Sequence, residues 1–114
     1  RGSLMVDVDD SGWPEGTRTP VDALLLATAR ELLTNVVKHA HATRADVRLS
    51  VDGPDAVLVV ADDGVGVDQQ LVDRRAAEGH LGLVSRRVRI ESAGGTLTVA
   101  PGAGTRVECR IPTG

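Results

Sequence analysis

The segment Val57-Leu-Val-Val-Ala-Asp-Asp-Gly-Val-Gly66 constrains this chain more than any other. An apolar run stops abruptly at two carboxylates and two glycines. Bounded by Asp52-Gly-Pro-Asp55 before it and glycine after it, the run reads as a buried strand. A strand that carries an acid to its tip and turns on glycine puts a hydrogen-bond acceptor where backbone can approach a ligand closely. The same pattern is also ordinary turn chemistry. Its meaning depends on what the rest of the chain brings beside it.

Upstream, Thr19-Pro20-Val21-Asp22 reads as a helix start: Thr as N-cap, Pro at the first helical position, and an acid near the positive end of the dipole. No Gly or Pro interrupts the chain from there to about Ala42. Leu25, Leu32 and Val36 recur at spacings of seven and four, which is one buried stripe. Glu31, Asn35, Lys38 and His39 fall on another face. A carboxylate, an amide oxygen for a hard cation and an ammonium for phosphate suit a phosphate-bound metal. A solvated helix face has the same composition.

Downstream, Gly79-His80-Leu81-Gly82-Leu83 opens a second helical pattern, with Leu83 and Ile90, and Val84 and Val88, at helical spacing. It closes on Gly94-Gly95, a suitable C-terminal stop. Glycines at a helix start let exposed N–H groups face an anion, or serve as a plain hinge. Between the two patterns, Asp46–Val51 alternates as a half-buried strand, and Asp52-Gly-Pro-Asp55 turns it into the Val57–Val60 strand as a hairpin. Leu4–Val8 reads as a short strand and residues 9–19 as a polar loop. Thr96–Val99 and Arg106–Ile111 alternate around the turn Pro101–Gly104. Two helices over antiparallel strands predict a two-layer α/β sandwich. Residues 67–78 are polar with little periodicity, a flap or a short surface helix.

Composition narrows the function classes. Aromatics are one Trp with no Tyr or Phe, so the core is Leu, Val, Ile and Ala, and no base-stacking platform for single-stranded nucleic acid exists. A net charge of −3 argues against a general nucleic-acid binder. With one cysteine, Cys109, there is no internal disulfide. No apolar run is long enough to cross a bilayer and no signal peptide is evident, so no membrane contact is expected of this stretch. There is no P-loop and no G-x-G-x-x-G, and His39, His41, His80 and Cys109 lack zinc-ligand spacing.

Taken in order, these segments resemble the ATP-binding catalytic domain of sensor histidine kinases, in the GHKL (Bergerat-fold) ATPase superfamily. Glu31-Leu-Leu-Thr-Asn35-Val-Val-Lys38-His39-Ala40 is similar to the family's N box, Asp62-Asp-Gly64-Val-Gly66 to its G1 box, and Gly79-His-Leu-Gly82-Leu83 to its G2 box. Gly104-Thr105 resembles the Gly-Thr pair that opens the family's last strand. Each box alone is weak; the ordered set, from about residue 20 to 112, is specific. The Asn-x-x-Lys-His-Ala form, short lid and missing F box resemble the subfamily that pairs with LuxR-like response regulators.

The resemblance implies helices on one face of a mostly antiparallel mixed sheet, α/β (α+β) in class, and Mg²⁺ and ATP as cofactors. It implies that Asp62 accepts from the adenine amino group, with Gly64 and Gly66 letting backbone pass close to base and sugar. Asn35 would hold Mg²⁺, Lys38 would contact phosphate, His39 would border the nucleotide, and Thr105 would support Asp62. Gly79, His80, Leu81, Gly82 and Leu83 would line the nucleotide, and Glu31 occupies the general-base position of ATP-hydrolysing relatives. Residues 4–114 are expected to form this domain, with a lid at 67–78 and a tag remnant at 1–3. The implied enzyme is a protein histidine kinase in the cytoplasm, whose phosphoacceptor histidine lies in a separate helical domain. This chain is therefore not expected to autophosphorylate alone. Two other readings stand beside it: an anti-sigma-factor serine kinase of the same superfamily, and a non-catalytic docking module that senses nucleotide.

Overall fold

The structure is a computed structural model, and it describes residues 4–16, 18–37, 42–64, 81–101 and 104–113, with backbone alone for 81–85 and 101. Five strands and two helices follow in the order β1 (Met5–Gly12), α1 (Asp22–Asn35), β2 (Arg44–Asp52), β3 (Asp55–Asp62), α2 (Leu81–Ser92), β4 (Thr96–Pro101) and β5 (Thr105–Pro112). The strands form one sheet in the order β1-β2-β3-β5-β4. β1 runs parallel to β2, and the other neighbouring pairs are antiparallel. A parallel neighbour cannot be reached by a tight turn, and α1 supplies the crossover. The mixed, mostly antiparallel sheet and two-layer arrangement agree with the expectation.

Alternation decides which side of the sheet is covered. Ala45 and Val47 of β2, Ala56, Leu58 and Val60 of β3, and Val107, Cys109 and Ile111 of β5 are buried together with Leu25, Leu32 and Val36 of α1 and Ile90 of α2. All eight strand residues lie on the helix-facing side. The stripe Leu25–Leu32–Val36 is thus the one read from the sequence. Val88 departs from the expected pattern and is 57% exposed. It lies about 200° around the helix from Ile90, which is the residue that reaches the core.

The helix ends follow local chemistry. The Thr19 hydroxyl accepts from the Val21 N–H at 3.3 Å, and the Asp22 carboxylate accepts from the Thr19 N–H at 3.1 Å and its hydroxyl at 2.6 Å. This reciprocal exchange has the form of a capping box but lies ahead of the regular helix, whose N-cap position is Val21, without a side-chain cap bond, and not Thr19 as expected. The regular helix begins at Asp22, because the first turn is tight: the Asp22 N–H donates to the Thr19 carbonyl. Those hydrogen bonds hold the Asp22 carboxyl below its ordinary range. α1 is regular to Asn35, residues 36–37 continue it as a wider turn, and 38–41 lie outside the described residues. α2 closes as expected at Gly94, whose φ is +85°. The Gly94 N–H donates to the Glu91 carbonyl and the Gly95 N–H to the Ile90 carbonyl, a Schellman ending.

The β2–β3 hairpin turns on Gly53-Pro54, pairing Asp52 with Asp55. β1 corrects the sequence reading. It runs to Gly12, through residues read as loop, with a register shift between Asp9 and Gly12. Parallel pairing to β2 holds one edge of its backbone while its side chains are exposed throughout, so burial periodicity carried no trace of it. The expected flap at 67–78 and the leading residues 1–3 lie outside the described residues.

Candidate functional site

β3 brings its acid to the helix side of the sheet. Asp62 follows Leu58 and Val60 at period two, so its carboxylate faces the helix layer at the end of the strand. The register sets it between Ala45 of β2 and Thr105 of β5. Asp62 and Thr105, both partly buried, are therefore neighbours on one face at one end of the core. The Gly64 N–H donates to Asp62 Oδ1 at 2.8 Å, an Asx-type turn that fixes the carboxylate's direction. Asp62 Oδ2 has no hydrogen-bond partner among the described residues. Its orientation is fixed, and its second oxygen is unpaired among the described residues.

Gly104 sets how closely β5 approaches this point. A Cβ at Gly104 would overlap the Asp62 carbonyl oxygen and crowd the Asp63 Cα at 3.2 Å. Only glycine lets the chain pass there, so the Gly104-Thr105 pair has a steric meaning at the site.

Asp63, one residue on, has a different environment. Its Oδ1 accepts from the Thr43 and Arg44 N–H groups, each at 2.9 Å, and its Oδ2 accepts from the Thr43 hydroxyl at 2.6 Å. These bonds, the hydroxyl's first, hold the Asp63 carboxyl below the usual carboxylate range. Reading the motif for its first acid missed this role. The signal was present, because counting back from the two-residue hairpin turn puts Arg44 opposite Asp63.

On α1, Glu31 and Asn35 lie one turn apart and are both partly buried. Neither side chain has a partner among the described residues. Lys38, His39, Gly66, Gly79 and His80 lie outside the described residues. Leu81, Gly82 and Leu83 form the start of α2, and their backbone alone is described. The structure thus brings Asp62, Gly64, Gly104 and Thr105 together at one point and places Glu31 and Asn35 in the helix layer. Among the described residues, no three His, Cys, Asp or Glu side chains gather around a common point. An amide oxygen such as that of Asn35 fits magnesium, which takes one or two protein oxygens and completes its shell with phosphates and water. Cys109 is buried in β5 and its thiol is pushed up to about 11 by burial, so it is an inert core residue. No helix among the described residues is long and apolar enough to cross a membrane.

Known proteins share this sequence and fold. The chain is 47% identical over 96 residues to the sensor histidine kinase NarS of Mycobacterium tuberculosis, covering 83% of this chain and 23% of that protein. It is 30% identical over 109 residues to the sensor histidine kinase DesK of Bacillus subtilis, covering 96% of this chain and 28% of the relative. The chain thus spans about a quarter of the length of these curated relatives. Among solved structures, the blue-light activated histidine kinase EL346 of Erythrobacter litoralis superposes with a TM-score of 0.78 at 27% identity, over 99% of this chain and 36% of that one. Residues 21–114 match the family described as histidine kinase-, DNA gyrase B-, and HSP90-like ATPase, and the chain belongs to that family, in the form that sensor histidine kinases carry.

Proposed function

We propose that this domain binds Mg²⁺-ATP at the Asp62 end of the sheet and presents the γ-phosphate to a histidine in a separate helical domain of its parent sensor kinase. One observation carries the proposal: Asp62 is locked by the Gly64 N–H with its second oxygen open beside Thr105, in a chain whose family is shown. That oxygen accepts the adenine amino group, and Thr105 supports the contact. Gly64 and Gly66 keep side chains away from base and sugar. Asn35 offers its amide oxygen to magnesium, Glu31 stands one turn away as the acid of the site, and Lys38 and His39, next in the sequence, supply the contacts to the phosphates. The first-turn N–H groups of α2, at Leu81, Gly82 and Leu83, would serve an anion, with Gly79 and His80 before them in the sequence. Magnesium held by the Asn35 amide oxygen would supply positive charge against the phosphates. The chain's own contribution is positioning and exclusion of water.

The parent is, in this reading, a cytoplasmic-facing protein histidine kinase of a two-component system. The Asn35-x-x-Lys38-His39-Ala40 ending favours the subfamily that pairs with LuxR-like response regulators. The similarity to named sensor histidine kinases favours this over the anti-sigma-factor serine kinase. The filled positions at Asp62, Gly64 and Asn35 count against a non-catalytic docking module.

Calorimetric titration with Mg²⁺-ATP tests the proposal. Saturable binding is expected, lost with EDTA and with Asn35→Ala. Asp62→Asn should weaken it by about tenfold or more, because the Gly64 N–H captures the amide oxygen and leaves an NH₂ facing the adenine amino group. Unchanged affinity in both variants would remove this reading.

A further inference from the structure

Asp63 has no part in the contacts assigned to the nucleotide, yet among the described residues its carboxylate is the most fully bonded group near the site. Oδ1 takes two backbone N–H groups, from Thr43 and Arg44, and Oδ2 takes the Thr43 hydroxyl. The Asp63 N–H returns a bond to the Arg44 carbonyl at 3.2 Å. Four hydrogen bonds therefore tie the entry of β2 to the exit of β3. The entry of β2 is where the chain comes back from α1, the helix that carries Glu31 and Asn35. The exit of β3 carries Asp62 and Gly64.

We infer that Asp63 is a positioning residue: its clamp on Thr43 and Arg44 fixes the metal-and-phosphate side of the site, on α1, relative to the adenine side, on β3. This inference rests on the nucleotide-binding reading above. The side-chain alternation separates the two acids. Asp62 is the last residue of β3 and faces the helices with one oxygen open, whereas Asp63 lies beyond the strand with both oxygens taken. A charged acceptor bonded by backbone N–H groups is a strong local tie even where solvent reaches it. Because Asp62 is held separately by the Gly64 N–H, losing the clamp should leave the adenine contact in place. What it should loosen is the path back from Asn35. A strand-end staple with no bearing on the site would instead shift stability alone, or all ligands equally.

The experiment compares Mg²⁺-ATP with adenosine on the full chain, together with melting temperature, in the wild type and in Asp63→Ala, Asp63→Asn and Thr43→Val. In Asp63→Ala, Mg²⁺-ATP affinity is expected to fall about fivefold or more while adenosine changes by less than about twofold. Asp63→Asn should restore the wild-type ratio: its amide oxygen still accepts both N–H groups, and its NH₂ donates to a Thr43 hydroxyl that now accepts. Thr43→Val keeps both backbone donors and removes the hydroxyl, so a smaller loss in the same direction is expected. It carries the test if Asp63→Ala does not fold. Equal loss for both ligands, or no loss for either, overturns the inference. A wild-type chain that binds neither ligand overturns the nucleotide reading itself, and the clamp's role with it.

Discussion

The two faces of the sheet carry polar groups in opposite ways. On the outer face charges answer one another. Arg110 meets Asp52 at 2.8 Å, Asp55 at 3.2 Å and Glu108 at 3.3 Å, Arg106 meets Glu108, and Arg44 meets Asp7 at 2.6 Å. Those carboxylates hold the Arg110 guanidinium above its ordinary range. The helix-facing side is apolar along its length and turns polar at one end, where Asp62 and Thr105 pair across β3 and β5. There one carboxylate oxygen is left unpaired among the described residues. A paired charge at the surface contributes little and invites nothing further, whereas a fixed, open acceptor at the edge of a dry core can select a ligand. The contrast marks the site more clearly than any count of charged residues.

Variants can break this contrast, and the largest effect belongs to the core. Leu58 is fully buried beneath the helices, and Leu58→Ala should cost about 2–5 kcal/mol in denaturant unfolding. A loss near that of an outer-face variant would mean the helix layer is not packed on β3 as described. Gly104→Ala comes next. The added methyl must displace the Asp62 carbonyl, so about 1–3 kcal/mol of stability should go, and nucleotide binding should fall with it. Binding retained at full strength would show that β5 can yield without moving Asp62. On the outer face, Arg110→Ala should cost far less stability than either of these, since solvent screens its ion pairs. Nucleotide affinity should not change at all, and a measured loss there would dissolve the distinction between the faces.

The smallest expected effect is one of pH. Hydrogen bonds lower the carboxyls of Asp22 and Asp63 in the folded chain. Their contribution is therefore complete above the unfolded carboxylate value, about 4, and is lost as pH falls through the lower folded values. Thermal melts between pH 5 and 3 should show the wild type losing stability faster than Asp63→Asn. Parallel curves would mean the Asp63 bonds do not differ between folded and unfolded states.

Much of this was legible because it is local. The stripe Leu25–Leu32–Val36, the Thr19–Asp22 helix start, the Gly53-Pro54 hairpin and the Gly94 stop each depend on residues within a turn or two of one another. β1 beyond Val8 was not legible, since its side chains are exposed throughout and its backbone pairs with β2, far away in sequence. Val88 misled for a related reason: helical spacing shows that residues share a face, and only packing shows which face is buried.

The site divides along the same line. Period two along β3 places Asp62 on the same side as Leu58 and Val60 from sequence alone, and the ordered boxes from Glu31 to Thr105 point to the family. Sequence cannot show that Asp62 keeps an oxygen open while Asp63 has both taken, because saturation of a carboxylate depends on which donors arrive from elsewhere. Thr43 and Arg44 reach Asp63 through the β2–β3 register, and Gly104 reaches Asp62 through the β3–β5 pairing. Side-chain direction is a property of a strand, whereas the partners that fill or spare a polar group are a property of the assembled sheet.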